Sequence, residues 1–199
     1  MPDQKLHPIT ERHMNRRAAI LSSLALCLVS TSKAFAGTEV PVTPEVSPPG
    51  DIPDTQVFIT YKSPAGFSFK VPEGWARKDA GDTTSFQGKY DIVAVTLDQI
   101  SQPLDMKFAR QALDTVMQKS RAGTAGKAFL VRLPGGDALK ISYTENSEPN
   151  AVTGKQIRME SERFYFAKND KLVSLYLSAP LGSDNVDQWK LMSSSFRWN

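Results

Sequence analysis

The chain has very little of the chemistry that most catalytic and metal sites use. Its 199 residues include one cysteine and two histidines, and all three lie before residue 37: His7, His13 and Cys27. A chain cut at that point has neither residue type. This excludes Ser-His-Asp and Cys-His catalysis, Cys/His zinc sites, blue copper and cysteine-bound iron–sulfur clusters. It also excludes disulfides, so stability must come from an ordinary hydrophobic core.

Residues 1–36 have the three parts of a secretory signal peptide. Arg16 and Arg17 precede an apolar run, 18–30, which is followed by the small residues Ala34 and Ala36. A basic start, an apolar centre of about 7–15 residues and an A-x-A end are typical of such leaders. The run is too short to cross a bilayer, which takes about 20 residues. The sequence therefore predicts export.

The predicted cleavage site lies between Ala36 and Gly37, with Ala34 and Ala36 as the recognised small residues. The paired arginines leave Sec and twin-arginine export both open. Translation can begin at Met1 or at Met14. No apolar run after the leader approaches the length of a membrane span.

Cleavage would remove the positive net charge of the chain. The whole sequence has 24 Lys and Arg against 21 Asp and Glu, a net charge of +3. Five of these basic and two of these acidic residues belong to the leader, so residues 37–199 have 19 of each and no net charge. A nucleic-acid-binding domain is typically basic on one face. The overall charge therefore predicts no nucleic-acid partner.

Residues 37–54 and 55–199 differ sharply in composition. The first range has five prolines in eighteen residues, which disfavours helix and interior strand and predicts an extended linker. The second range has the size and apolar content of one globular domain.

Hydrophobic periodicity divides the domain into strands and two helices. Strands are predicted at 55–62, 66–72, 83–87, 90–100, 127–133, 138–145, 157–167 and 172–179. A helix is predicted within 103–123, with Asp105 as its N-cap and Gly123 at its end. Another is predicted within 182–196, capped by Ser183 or Asp184. Short turns between consecutive strands favour hairpins, so the predicted class is α+β, an antiparallel sheet flanked by helices.

Three motifs resemble the PsbP-like family, whose best-known members are extrinsic lumenal proteins of photosystem II. They are "GFSFKVPEGW" at 66–75, "FYFAKNDKLVSLYLSAP" at 164–180 and the "SFRW" end at 195–198. The same fold occurs in a nuclear Ran-binding factor and in bacterial envelope proteins. The resemblance implies an α/β/α sandwich, export and no enzymatic activity. Metal handling through histidine, linked to photosystem members, is not carried over, because residues 37–199 contain none.

Several side chains have a spacing that is compatible with catalytic or metal-binding groups. Glu160 and Glu162 share one face of a predicted strand and could form a hydrolase pair, although a solvated strand face explains them more simply. Lys190 and Ser193 share a helix face and could form a Ser/Lys pair, but such spacings are common. The acids of 184–187 and 78–82 are too few for a typical calcium site; a helix cap and a loop explain them more simply than weak calcium binding does. No cofactor is predicted.

The sequence thus favours an exported, non-catalytic domain that binds or assembles a membrane-bound protein partner. Trp75 and Trp198, at the ends of predicted elements, are the expected partner contacts. A carrier of a small amphipathic ligand, with a pocket between sheet and helix, is the alternative, and a carboxylate-dependent hydrolase a weaker one. The expected location is the periplasm, or a thylakoid lumen in a phototroph.

Overall fold

The structure is a computed structural model that describes residues 39–199. The predicted leader and its cleavage residues Ala34, Ala36 and Gly37 lie outside the described residues. Ten strands and two helices follow one another in the described part: β1 Phe58–Ser63, β2 Phe67–Pro72, β3 Ala76–Ala80, β4 Thr83–Gln87, β5 Ile92–Gln99, α1 Met106–Lys119, β6 Thr124–Leu133, β7 Gly136–Asn146, β8 Arg158–Lys168, β9 Lys171–Pro180, α2 Val186–Ser194 and β10 Arg197–Trp198. The α+β class predicted from the sequence is confirmed.

Seven strands form one antiparallel sheet, in the order β3-β4-β5-β9-β8-β7-β6. Tight turns set its register. Leu133 pairs with Gly136 across the β6–β7 turn, and Lys168 pairs with Lys171 across the β8–β9 turn. Asn169 has a φ of 57° in the second turn, a conformation that asparagine tolerates better than most residues. Both predicted hairpins are therefore confirmed.

The remaining strands form a separate three-stranded sheet, in the order β1-β2-β10. The sequence predicted one sheet and did not anticipate this division. The C-terminal strand β10 pairs antiparallel with β2, through Arg197 with Ser68 and Trp198 with Phe67. This pairing joins residues 130 positions apart, which local patterns do not report.

The large sheet has a different layer on each face. Helix α1 covers one face, where its buried Ala109 packs with Leu139, Ile141, Tyr165 and Leu172. The small sheet and α2 cover the other face and form the main core. Large members of that core are Phe67, Phe69, Val71, Phe86, Phe164, Phe166, Leu175, Leu177, Trp189, Met192 and Phe196. Neither helix of residues 39–199 is long and apolar enough to cross a membrane.

The helix ends agree with the sequence at one cap and differ at two boundaries. Asp105 accepts hydrogen bonds from the backbone N–H groups of Lys107 and Phe108, each at 2.9 Å, as predicted. Helix α1 ends at Lys119 with Ser120 as its C-cap, however, and not at Gly123. The N-cap position of α2 is Asn185, so the prediction of Ser183 or Asp184 is wrong.

Asn185 makes no cap hydrogen bond, because its side chain instead binds the backbone of the N-terminal segment, residues 39–54. It accepts from the N–H of Ile52 at 2.7 Å and donates to the carbonyl of Gly50 at 2.8 Å. Ile52 itself is buried in the main core. Near the start of residues 39–54, the side chain of Asn146 accepts a hydrogen bond from the N–H of Val42 at 3.0 Å.

Residues 39–54 therefore lie on the domain, although their composition predicted a linker. They form no helix or strand, as their proline content requires. Proline removes backbone donors but leaves every carbonyl free, and buried asparagines bind these groups and the remaining N–H groups. The domain limits predicted from the sequence remain predictions.

Replacing Asn185 with alanine is expected to release this N-terminal segment. The substitution removes three hydrogen bonds, to Gly50, Ile52 and Asp91, and leaves buried groups without partners. Cleavage after Glu45 by a glutamate-specific protease should accelerate at least fivefold under native conditions. Asn150→Ala is the control, since Asn150 is exposed and bonds only within its own turn. Equal cleavage rates in the two variants would contradict the assigned role of Asn185.

Candidate functional site

A groove separates strand β6 from helix α2 on the main-core face of the large sheet. We call it the β6–α2 groove; it encloses about 350 Å³. Its apolar lining comes from both elements and from neighbouring β8: Phe129, Val131, Leu133, Phe164, Val186 and Trp189. Its polar lining includes Lys140, Glu160, Glu162, Lys190 and Ser193. The groove thus has an apolar wall beside a charged one.

Strand β6 forms one wall of the groove and is also an edge of the large sheet. Within residues 39–199 it pairs only with β7. A register shift between Ala125 and Ala128 interrupts its first half, so regular pairing runs over 128–133. Phe129 and Leu130 are 39% and 56% exposed there. Unpaired backbone groups and exposed apolar side chains therefore lie together on this edge.

The opposite edge of the same sheet has a different character. Strand β3 is five residues long, is exposed throughout and carries Arg77, Lys78 and Asp79. Short, charged edges discourage pairing with other chains, whereas long apolar edges favour it. The contrast makes β6 the edge of this sheet that is suited to a protein partner.

The acidic pair considered from the sequence lies in the β6–α2 groove but is engaged in internal contacts. Glu162 forms an ion pair with Lys140. Glu160 accepts a hydrogen bond from the N–H of Gly182 at 3.1 Å. Burial raises the pKa of Glu160, and that hydrogen bond opposes the shift. The two carboxyl groups therefore have different environments, each set by a structural partner.

Lys190 and Ser193 line the same groove, as helical spacing suggested. Ser193 is buried, and its hydroxyl donates to the carbonyl of Trp189 at 2.8 Å. A hydroxyl bonded to its own helix in this way is a common structural arrangement. Among the described residues, the Ser193 hydroxyl bonds to backbone carbonyls of α2 and not to the Lys190 amine.

The acidic residues of 78–82 and 184–187, considered as calcium ligands, do not form a metal site. Within residues 39–199, no group of three or more His, Cys, Asp or Glu side chains is placed to hold a metal ion. Asp79 instead accepts hydrogen bonds from Thr84 at 2.7 Å and from Arg77 at 3.1 Å. Asp187 lies in the first turn of α2, where a negative charge is favourable.

The two tryptophans expected to contact a partner lie at the margins of the main core. Trp75 is partly exposed, and its ring lies against Gly88. Trp198 is also partly exposed and makes edge-on contacts with Phe67 and Phe196, with ring centroids 6.2 and 5.3 Å apart. Each ring therefore has a packed side and an exposed part, and the role of partner contact remains a prediction.

The apolar edge of β6 is not evident from the sequence. The pattern "AFLVRL" at 128–133 was interpreted as a strand, but strand patterns do not reveal which strand lies at the edge of a sheet. Two consecutive apolar residues, Phe129 and Leu130, point to opposite faces. Their joint exposure follows only from the position of β6 in the sheet.

No protein-family model matches this sequence, and no curated protein matches it. Solved structures do. The structure of cyanobacterial PsbP (CyanoP) from Synechocystis sp. PCC 6803 is similar with a TM-score of 0.53 at 17% identity, covering 75% of this chain and 98% of that one.

Two further structures are similar with lower scores. The Ran-binding protein Mog1p from Saccharomyces cerevisiae has a TM-score of 0.49 at 10% identity, over 72% of this chain and 96% of that one. LpqN of Mycobacterium tuberculosis, described as involved in cell envelope biogenesis, has a TM-score of 0.46 at 11% identity, over 71% and 89%. At such identities the similarity concerns the fold alone, and this chain shares the PsbP-like fold of the cyanobacterial protein.

Proposed function

We propose that this protein is an exported, non-catalytic domain that binds a protein partner in a membrane complex through the edge of β6. The observation that carries the proposal is the pair of exposed apolar residues Phe129 and Leu130 at an unpaired edge, beside the β6–α2 groove. An extended segment of a partner can add a strand to such an edge and place alternate side chains in the adjoining groove.

The charged wall of the groove would orient the incoming segment. Lys140 and Glu162 neutralise each other, whereas Lys190 has no ion pair among residues 39–199. A partner strand with apolar residues at alternate positions and an acidic residue near α2 fits this arrangement. Export and the membrane location rest on the leader at 1–36 and on the PsbP-like resemblance.

The absence of catalysis is part of the proposal. Residues 37–199 contain no His or Cys, and Glu160, Glu162 and Ser193 make the internal contacts described above. A protein-binding function needs none of these groups to be activated.

Replacing Leu130 with lysine is expected to abolish partner binding without unfolding the domain. A lysine at an exposed edge position opposes strand addition, and the side chain it replaces is 56% exposed. A photo-cross-linking amino acid at Phe129, introduced in the native host, should yield one dominant adduct in the membrane fraction. Leu130→Lys should reduce that yield at least tenfold.

Val152→Lys is the matched control, because Val152 is apolar and 92% exposed but lies in a loop. Its adduct yield should equal that of the parent protein. An undiminished yield in Leu130→Lys would overturn the assignment to β6, and an adduct found only in the soluble fraction would overturn the membrane complex. Trp75→Ala and Trp198→Ala in the same assay test the contacts predicted from the sequence.

Mass spectrometry should find Gly37 as the mature N-terminus.

A further inference from the structure

A second, larger groove lies on the opposite face of the large sheet, under helix α1. We call it the α1 groove; it encloses about 660 Å³, within the range of about 300–1,000 Å³ that is usual for small-molecule sites. The helix contributes apolar side chains, among them Phe108, Ala112 and Val116. The sheet contributes polar and aromatic ones: Tyr143, Arg163, Tyr165 and Tyr176.

Lys119 of α1 and Arg163 of β8 are the basic residues that line this groove, and Arg163 is the one contributed by the sheet. No carboxylate of residues 39–199 forms an ion pair with it. Its Nε atom is buried and has no hydrogen-bond partner among the described residues. A guanidinium carries five N–H donors, and burying a charge without a partner is costly. The arrangement therefore leaves donor capacity for a ligand.

Three tyrosines surround Arg163 without replacing that ligand. The guanidinium carbon lies 5.0 Å from the ring centroid of Tyr176, a distance at which cation and ring attract each other. Burial alone would lower the pKa of Arg163, but the neighbouring Tyr143, Tyr165 and Tyr176 outweigh it and raise that pKa. The hydroxyls of Tyr143 and Tyr165 each accept a hydrogen bond from the guanidinium, which uses two of its five N–H donors and leaves the others for an anion.

Two acidic residues, Glu145 and Asp98, line the groove. Glu145 accepts from the Tyr176 hydroxyl at 3.4 Å. Asp98 lies on the groove wall near Tyr165. Neither acid forms an ion pair with Arg163.

We propose that the α1 groove binds a small amphipathic molecule with a carboxylate or phosphate group. The oxyanion would accept hydrogen bonds from Arg163, with hydroxyl donors from Tyr143 and Tyr165 beside it. The apolar body would lie along α1, against Phe108 and Val116. This site is independent of the edge of β6, because successive side chains of β8 point to opposite faces: Arg163 to this groove and Glu162 to the other.

Isothermal titration calorimetry of the purified full chain tests the proposal with four probes. Decanoate and decyl phosphate carry the two candidate oxyanions, decanol lacks a charge, and inorganic phosphate lacks an apolar body. We expect one of the two charged decyl probes to bind at least tenfold more tightly than decanol and than inorganic phosphate. The charged probe that binds more tightly identifies the oxyanion.

Arg163→Gln should weaken the preferred probe at least tenfold, since charged hydrogen bonds are among the stronger contacts. Arg132→Gln is the matched control: Arg132 is exposed and pairs with Asp137 across the β6–β7 hairpin, so this variant should bind the probe with unchanged affinity. Ala112→Trp fills the groove from the helix and should also prevent binding. Thermal unfolding shows whether each variant is folded, and Arg163→Lys provides a variant that keeps the charge.

Several outcomes would overturn the proposal. Equal affinities for decanol and the charged probes would show that no oxyanion is recognised. Undiminished binding in folded Arg163→Gln or in Ala112→Trp would place the ligand elsewhere, as would an equal loss in Arg132→Gln. No binding of either charged probe at millimolar concentration would remove the site. None of these results affects the cross-linking test of β6, so the two proposals fail separately.

Discussion

Replacing Phe196 with alanine is expected to lower the free energy of unfolding by about 3–5 kcal/mol, the usual cost of removing a buried aromatic ring. The ring is fully buried and stacks on Phe166, with centroids 3.8 Å apart. It also stacks on Phe67 of the small sheet at 5.8 Å. Phe196 therefore joins the small sheet to the large one, and its loss leaves a cavity between them.

Urea denaturation followed by tryptophan fluorescence measures this effect. Phe129→Ala is the control, because Phe129 is partly exposed and its loss should cost about 1 kcal/mol or less. Since domains are typically stable by about 5–15 kcal/mol, Phe196→Ala should shift the midpoint strongly. A loss as small as that of Phe129→Ala would show that the two sheets do not depend on this ring.

Replacing Asp91 with asparagine is expected to make the protein more stable at pH 8 and to flatten its dependence on pH. Asp91 is buried, and its carboxylate accepts from the Asn185 side chain at 3.1 Å. Burial raises the pKa of Asp91 to about 7, with a further contribution from Asp51 and an opposing one from the Asn185 hydrogen bond.

The direction of the pH effect follows from this raised pKa. In the unfolded chain an aspartate has a pKa of about 3.9, so between about pH 4 and 7 the unfolded state loses its proton while the folded state keeps it. The contribution of protonated Asp91 to the free energy of unfolding is complete below about pH 4 and declines as the pH rises to about 7. Above that value the folded state carries a buried carboxylate.

The expected gain of Asp91→Asn at pH 8 is about 2 kcal/mol. This figure is below the full value of the shift, because Asp91 lines a surface cavity where water screens part of the charge. The variant retains an oxygen that can accept from Asn185. Urea unfolding at pH 4, 6 and 8 measures both the gain in stability at pH 8 and the weaker dependence of stability on pH.

Asp82→Asn is the control for charge removal, since Asp82 is exposed. It should reproduce the pH dependence of the parent protein. Equal slopes for Asp91→Asn and the parent protein between pH 4 and 7 would contradict a protonated Asp91 in the folded state.

The two grooves give the large sheet two faces with different chemistry. The β6–α2 groove combines apolar side chains with paired charges, whereas the α1 groove centres on an arginine without an anionic partner. Strand β8 contributes to both, since its side chains alternate between the faces. A single strand thereby supports one surface suited to a protein and another suited to a small anion.

Much of the local structure could be predicted from the sequence because it depends on near neighbours. The Asp105 cap, the Asn169 turn and the alternation of Phe67, Phe69 and Val71 all follow from residue types within a few positions. The short, polar strand β3, which carries Arg77 to Asp79, was missed. It has no apolar alternation, and its strand conformation depends on pairing with β4.

The candidate sites were less predictable because they depend on distant residues. Glu160, Glu162, Lys190 and Ser193 were identified by spacing, and the structure brings all four to one groove. Their partners, however, come from other elements, such as Lys140 and Gly182. Spacing reports which face a side chain occupies but not what the opposing element supplies.

The sequence by itself determined the chemistry that is possible after residue 36. It also determined the α+β class, since composition and short-range periodicity are sufficient for both. Only the tertiary structure decided that β6 is an edge, that Asn185 and Ile52 bind residues 39–54 to the domain, and that Arg163 has no anionic partner. Each of these properties arises from contacts between residues far apart in the chain, where burial and pairing depend on the whole fold.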